Sequence, residues 1–186
     1  YHFEMGRSLA EKLGYKQNDL DRIPADAIES FAGVGYYFDM ADLKEGDLVL
    51  DLGSGSGMDS FMASLLVGQS GRVTGVDMTD QQLEKAERLR KERQIDNVSF
   101  CKSYIENLPF PDGSFDAVIS NGVINLTPDK DKVFAEVSRV LKPGGRMVIA
   151  DIVTEKQLPE NITCNSTLWA ACIGGASQQD DYQGAI

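Results

Sequence analysis

The residues with the most chemistry to offer stand at the ends of two apolar runs. The first run leads into 51-DLGSGSG-57, an acid followed by glycines at Gly53, Gly55 and Gly57. The third glycine comes one residue too early for the dinucleotide pattern G-x-G-x-x-G. In that pattern the glycines let backbone approach a pyrophosphate at a helix N-terminus, where a carboxylate such as Asp51 would be a poor neighbour. A cationic ligand suits Asp51 better. The second run ends at Asp77, 20 residues beyond Gly57. An acid in that position can accept hydrogen bonds from both hydroxyls of a ribose. Taken singly, the glycines read as a tight strand-to-helix turn and Asp77 as a cap for a helix starting near Thr79. Taken together, they fit a nucleoside that carries positive charge in place of phosphate.

S-adenosylmethionine (SAM) is such a nucleoside. Its sulfonium and amino group attract a carboxylate directly or through water, and Gly53 and Gly55 allow its methionyl part to lie on bare backbone. The nucleophilic side chains add less. Three cysteines, Cys101, Cys164 and Cys172, show no ligand spacing such as C-x-x-C, so no metal site is expected. The only histidine is His2. Without an imidazole base, transfer to a thiolate, amine or stabilised carbanion is favoured over transfer to a poorly acidic hydroxyl. Tyr36 and Tyr37 follow 33-GVG-35 and either wall a transfer pocket or pack a cap onto the sheet. Cys172, one turn after Trp169, belongs either to an acceptor site or to plain helix packing.

Alternating elements must position these groups. Apolar, β-branched runs at 48–53, 72–77, 98–103, 115–120 and 146–153 read as strands. Helical patterns lie between them: 57–67 stopping at Gly68, then a helix from Thr79, with Gln82 in capping-box spacing. A third opens at Thr127, with Pro128 in the first helical position, and ends at 142-KPGG-145. Alternation of this kind predicts an α/β fold, a doubly wound and mostly parallel Rossmann-like sheet with helices on both faces. Residues 1–42 read as a helical cap, 43–153 as the core and 154–186 as a C-terminal helical segment near the acceptor site, all within one domain.

Composition narrows the partners. Of 186 residues, 29 are acidic and 18 are Lys or Arg, a net charge of −11 with no basic stripe, which disfavours nucleic acid and anionic lipid. No apolar run approaches the roughly 20 residues of a membrane span, and there is no signal-peptide pattern. An odd number of cysteines favours free thiols and a reducing, cytoplasmic setting.

The stretches 51-DLGSGSG-57, 75-GVDMT-79, 106-ENLPFPDGSFDAVIS-120 and 139-RVLKPGG-145 resemble class I SAM-dependent methyltransferases. More narrowly, 30-SFAGVG-35, 119-ISNGVINLTPDK-130, 158-LP-159 and 172-CIGGA-176 resemble the arsenite methyltransferase family. The resemblance implies SAM contacts at Asp51, Gly53, Ser54, Gly55, Asp77 and Met78. It also implies Ile105 and Glu106 flanking the adenine and Asn121 near the methionyl group. The family holds As(III) with cysteine thiolates, one in a segment like ISNCVINL and one in the CxxGA segment. Here Gly122 stands at the first position and Cys172 matches the second. Cys164 lies about 12 Å from Cys172 if both share one straight helix, too far to share one arsenic unless 162-ITCN-165 folds back as a loop.

The expected function is therefore SAM-dependent methyl transfer to a small-molecule acceptor. Two alternatives stand beside it: a SAM-binding protein without catalysis, and a true arsenite methyltransferase using Cys172 and Cys164. Cys172 and Tyr36 are the candidate catalytic residues. Class I methyltransferases resemble one another in ending on a sixth and a seventh strand. No alternating or β-branched run comes after 146-RMVIADIV-153. The fifth strand is thus expected to be an exposed edge guarded only by Asp151, inviting a homodimer or leaving a weakened, aggregation-prone fold.

Overall fold

The computed structural model describes residues 4–156, 158–163 and 175–184. Its sheet has the strands β1 (Leu48–Leu52), β2 (Arg72–Asp77), β3 (Val98–Lys102), β4 (Phe115–Asn121) and β5 (Leu141–Ala150). They run in the order β3-β2-β1-β4-β5, every pair parallel. Strand order reverses between β1 and β4, so the crevice for a ligand opens beyond the carboxyl ends of those two strands.

The period-two alternation of the strands splits the core between two faces. Val49, Ala117 and Ile119 join one cluster with Met58, Phe61 and Val67 of α5 (Met58–Val67). Leu50, Leu52 and Val118 join the other with Val133, Val137 and Val140 of α7 (Lys130–Val140). Each fully buried aliphatic chain contributes about 1.5–3 kcal/mol of transfer free energy. The helix between them in the chain, α6 (Asp80–Glu92), buries Ala86 and Leu89 and leaves its charged face to solvent.

The cap is built of four short helices, α1 (Arg7–Leu13), α2 (Gln17–Leu20), α3 (Ala25–Glu29) and α4 (Phe38–Ala41). Gly14, with φ of 111°, ends α1 in the left-handed region and turns the chain. Tyr15, Leu20, Ile23, Ile28 and Phe38 bury themselves against the α5 face of the sheet. Arg146 of β5 fastens the end of the cap by donating to the carbonyl oxygens of Ala41 (2.7 Å) and Asp42 (2.6 Å).

Four local expectations are corrected. The third major helix starts at Lys130, not near Thr127, because Asp129 takes the N-cap and accepts from the Lys132 N–H at 3.1 Å. Thr127 turns instead to donate to Glu106. The capping box at Thr79 and Gln82 does not form. No side chain caps α6, and Gln82 accepts from the Ser56 hydroxyl. The fifth strand runs from Leu141 to Ala150, so KPGG lies within it. Phe115 pairs with Leu141 and Ala117 with Arg146, and the surplus residues of β5 bow out with Gly144 at φ of 80°. Asp151, beyond the strand, does not guard the edge. Its carboxylate accepts from the Asn125 amide nitrogen (2.7 Å) and the Tyr182 hydroxyl (3.1 Å).

Among the described residues the sheet has five strands, and β5 pairs only with β4. Beyond β5 the chain forms α8 (Glu160–Thr163), a single bridge between Thr154 and Gln178, and α9 (Gln179–Gly184). The helix expected around 166–172 lies outside the described residues.

Candidate functional site

Two adjoining cavities of about 300 Å³ each open beyond the carboxyl ends of β1, β2 and β4 and share Gly53, Asp77, Val123 and Leu126. The first is walled by the glycine turn and by cap residues Ser30, Phe31 and Gly33. The second is an apolar slot with Met78, Tyr104, Ile105 and Pro128 on its walls and Glu106 beside them.

The glycine turn explains why both cavities exist. Gly53 has φ of 67°, and a Cβ there would lie 2.4 Å from Val123. Gly55 has φ of 52° and faces open space, so its bare backbone is free to meet a ligand. Asp77 closes the turn from below: Oδ2 accepts the Gly55 N–H at 2.9 Å and Oδ1 accepts the Thr79 N–H at 2.8 Å. Each carboxylate oxygen keeps a second lone pair, enough for the two hydroxyls of a ribose. Ser54 Oγ is buried with no hydrogen-bond partner among the described residues.

At the other end lie two buried acids. Asp51 is 2% exposed, and its Oδ2 accepts from the Ser60 hydroxyl at 2.6 Å. Burial, and then the neighbouring charge of Asp59, push its carboxyl well above the usual carboxylate range. Asp59, in the first turn of α5, accepts from Tyr15 (2.6 Å), Tyr37 (2.9 Å) and the Asn121 amide (2.9 Å). Burial raises its carboxyl too, against the lowering effect of those three donors.

Asn121, at the end of β4, binds the cap to this pair. Its Oδ1 accepts the N–H of Val34 (2.8 Å) and of Gly35 (3.3 Å), and its amide also donates to the Gly35 carbonyl (3.0 Å). Gly122 comes next, with φ of 72°, and lines the first cavity. A Cβ there would stand 3.3 Å from Val34 and in a backbone conformation that side chains rarely adopt.

The expected residues Asp51, Gly53, Ser54, Gly55, Asp77, Met78, Ile105, Glu106 and Asn121 all line the two cavities. Tyr36 is not brought to either. Its ring packs edge-on against Tyr15 at 5.0 Å, and its hydroxyl donates to Asp39. Tyr37 touches the site through Asp59 and does not line a cavity wall. Cys172, Cys164 and Trp169 lie outside the described residues. Sequence reasoning missed Asp59 and Tyr15. An acid in the first turn after the glycines was a usable signal for Asp59. For Tyr15, which meets Asp59 across 44 residues of chain, there was none.

SAM fits this cleft: bare glycine backbone runs between an acid that can take a diol and an acidic pocket that suits a sulfonium and an ammonium. An apolar slot with a carboxylate at its side remains for a purine. Fold and cleft together define a class I SAM-dependent methyltransferase domain, with SAM as its cofactor. The chain belongs to the methyltransferase domain family, whose profile matches residues 43–185.

Its relatives narrow the likeness. The chain is 39% identical to the arsenite methyltransferase of Halobacterium salinarum over 98% of its own length and 46% of that protein. It is 47% identical to the human arsenite methyltransferase over 69% of its own length and 36% of that protein. A solved arsenic (III) S-adenosylmethionine methyltransferase from Chlamydomonas reinhardtii superimposes with a TM-score of 0.81 at 40% identity, covering 91% of this chain and 59% of that one. The chain thus spans about half the length of the relatives it matches.

Proposed function

We propose that this chain carries out SAM-dependent methyl transfer to a small-molecule acceptor, as an arsenite-methyltransferase-like enzyme. The observation that carries the reading is the cleft in which Asp77, the bare Gly53–Gly55 backbone and Asp51 succeed one another in the order SAM requires. Bound SAM supplies the electrophile, a methyl carbon activated by the sulfonium. The chain's part is placement: Asp77 fixes the nucleoside, Gly53 and Gly55 support the methionyl arm, and Asp51 attracts its positive end. Phe31 and Gly33 of the cap line one wall of the first cavity. In-line displacement gains most from such positioning and needs no base when the acceptor is already a good nucleophile.

The lining also selects the acceptor. Asp51, Asp59 and Asp77 face the first cavity, and among the described residues none of its lining is Lys, Arg or His. Among the nucleophiles expected, an amine, which can bind as a cation and attack once it has given up its proton, therefore suits this lining better than a thiolate or carbanion. Arsenite held by Cys172 and Cys164 is the second reading, favoured by the activity that the relatives' names state. Incubation with methyl-labelled SAM and separate pools of thiols, amines and arsenite tests both. Label in a thiol or amine supports the first reading, and label in arsenite supports the second. SAM binding with no transfer to any pool would leave a non-catalytic SAM-binding protein.

The same reading sets the partners. A net charge of −11 argues against nucleic acid as the acceptor. No helix among the described residues is long and apolar enough to cross a membrane, and Cys101 is a free thiol, which suits a cytoplasmic setting. Among the described residues β5 pairs only with β4, and its other edge is the surface proposed for a homodimer. We divide the chain as a cap at 1–42, a core at 43–153 and an acceptor-side segment at 154–186.

A further inference from the structure

With SAM as the ligand of the cleft, the acids that line it bear on how the cofactor is taken up. Two buried carboxyls, Asp51 and Asp59, share the first cavity, and no Lys, Arg or His lines it among the described residues. Their hydrogen bonds decide which one keeps a proton. Both oxygens of Asp59 are acceptors: Oδ1 from Tyr15, Oδ2 from Tyr37 and the Asn121 amide. The Tyr15 oxygen itself accepts from Asn121 at 3.2 Å, which directs its own proton onto Asp59. Asp59 also sits in the first turn of α5, where the helix end favours negative charge. Among the described residues the donors to Asp51 come from Ser60 alone, its hydroxyl and its backbone N–H, and Asp77 adds a further negative charge from β2. From β4 the neighbour is neutral Asn121, and from the cap come the neutral phenols of Tyr15 and Tyr37, both held un-ionised by burial. The charge belongs on Asp59 and the proton on Asp51.

We propose that Asp59 is a positioning residue for cofactor binding: it holds Asp51 protonated in the free protein, and the cationic methionyl end of SAM drives that proton off into solvent. The proton leaves the Asp51 carboxyl, the carboxylate stays, and the net charge of the site is conserved by the incoming cation. Below the pH at which free Asp51 ionises, SAM affinity therefore rises with pH, by as much as tenfold per unit, and it levels off above that pH.

Calorimetric titration of SAM in buffers of different ionisation enthalpy, repeated between about pH 5 and pH 9, counts the protons released. Over part of that range the wild-type chain should release close to one proton for each SAM bound. Asp59→Asn removes the neighbouring charge, so Asp51 ionises at lower pH. Release near neutrality should fall toward zero and the affinity profile should flatten there. Asp51→Asn, with no acid to titrate, should release none. Wild-type binding with no proton release anywhere in the range overturns the inference, whether or not the variants fold. So does undiminished release in either folded variant. Absence of SAM binding would instead overturn the cofactor reading, and this inference with it.

Discussion

At the scale of single residues, the site balances affinity against stability. Asp77 offers a charged acceptor on two already anchored oxygens. Asp77→Ala should weaken SAM and S-adenosylhomocysteine alike, by about 1.5–3 kcal/mol, the worth of a hydrogen bond to a charged group. Calorimetry of both ligands checks it. Asp51→Asn should behave differently, hurting SAM more than S-adenosylhomocysteine, since only SAM carries the sulfonium; equal losses would remove the charge argument. In the free protein the same variant should be stabilising. Burial raises the Asp51 carboxyl, so the folded chain holds a proton that the unfolded chain gives up. The resulting cost is absent at pH values below the unfolded carboxylate pKa of about 3.9 and grows as pH rises toward the raised folded value. The melting gap between Asp51→Asn and wild type should therefore widen as pH rises above about 4, with each kcal/mol worth about 2–4 °C in a chain of this size. These residues were legible in the sequence because strand ends and glycine turns are local patterns. Asp59 was not singled out, because its meaning depends on Tyr15, Tyr37 and Asn121, which reach it from 44, 22 and 62 residues away.

Among elements, the helices and strands track apolar periodicity closely, and the discrepancies sit at their ends. For α7, Thr127 with Pro128 after it is a good start signal, yet Thr127 is drawn into a tertiary bond with Glu106 and leaves the cap to Asp129. Asp129→Ala should cost about 0.5–2 kcal/mol of stability, the range for losing an N-cap. Thr127→Val should instead weaken SAM by freeing Glu106 beside the purine slot. Thermal melts read with SAM titrations separate the two effects, and a stability loss in both variants without change in SAM affinity would contradict the assignment. KPGG illustrates the opposite error. Proline and glycine suggest a break, but Lys142 bonds both oxygens of Asp116 at 2.8 and 2.9 Å, holding the bowed segment within β5.

For the whole molecule, the parallel sheet with helices on both faces was legible from the alternation of elements, as was a cap at the N-terminus. The cap's four short helices were not, since their burial is set by contacts with α5 and β5 and not by a periodicity of their own. Among the described residues one side of β5 has no partner strand, and no residue of β5 is fully buried. Sedimentation at two concentrations about tenfold apart should show mass rising toward a dimer, because a free strand edge offers a row of unpaired N–H and C=O groups. A monomer at both concentrations would refute the dimer.

The span of Asn121 also has a kinetic meaning. Its side chain joins Gly35 and Tyr15, which lie 86 and 106 residues earlier in the chain. Closing loops of that length comes late in folding, after the local helices and neighbouring strands have formed. The amides of Val34 and Gly35, both held by Asn121, should exchange their hydrogens only through global unfolding, and SAM should slow that exchange further. Exchange of those two amides at the rate of a frayed loop would show that the cap docks independently of the rest.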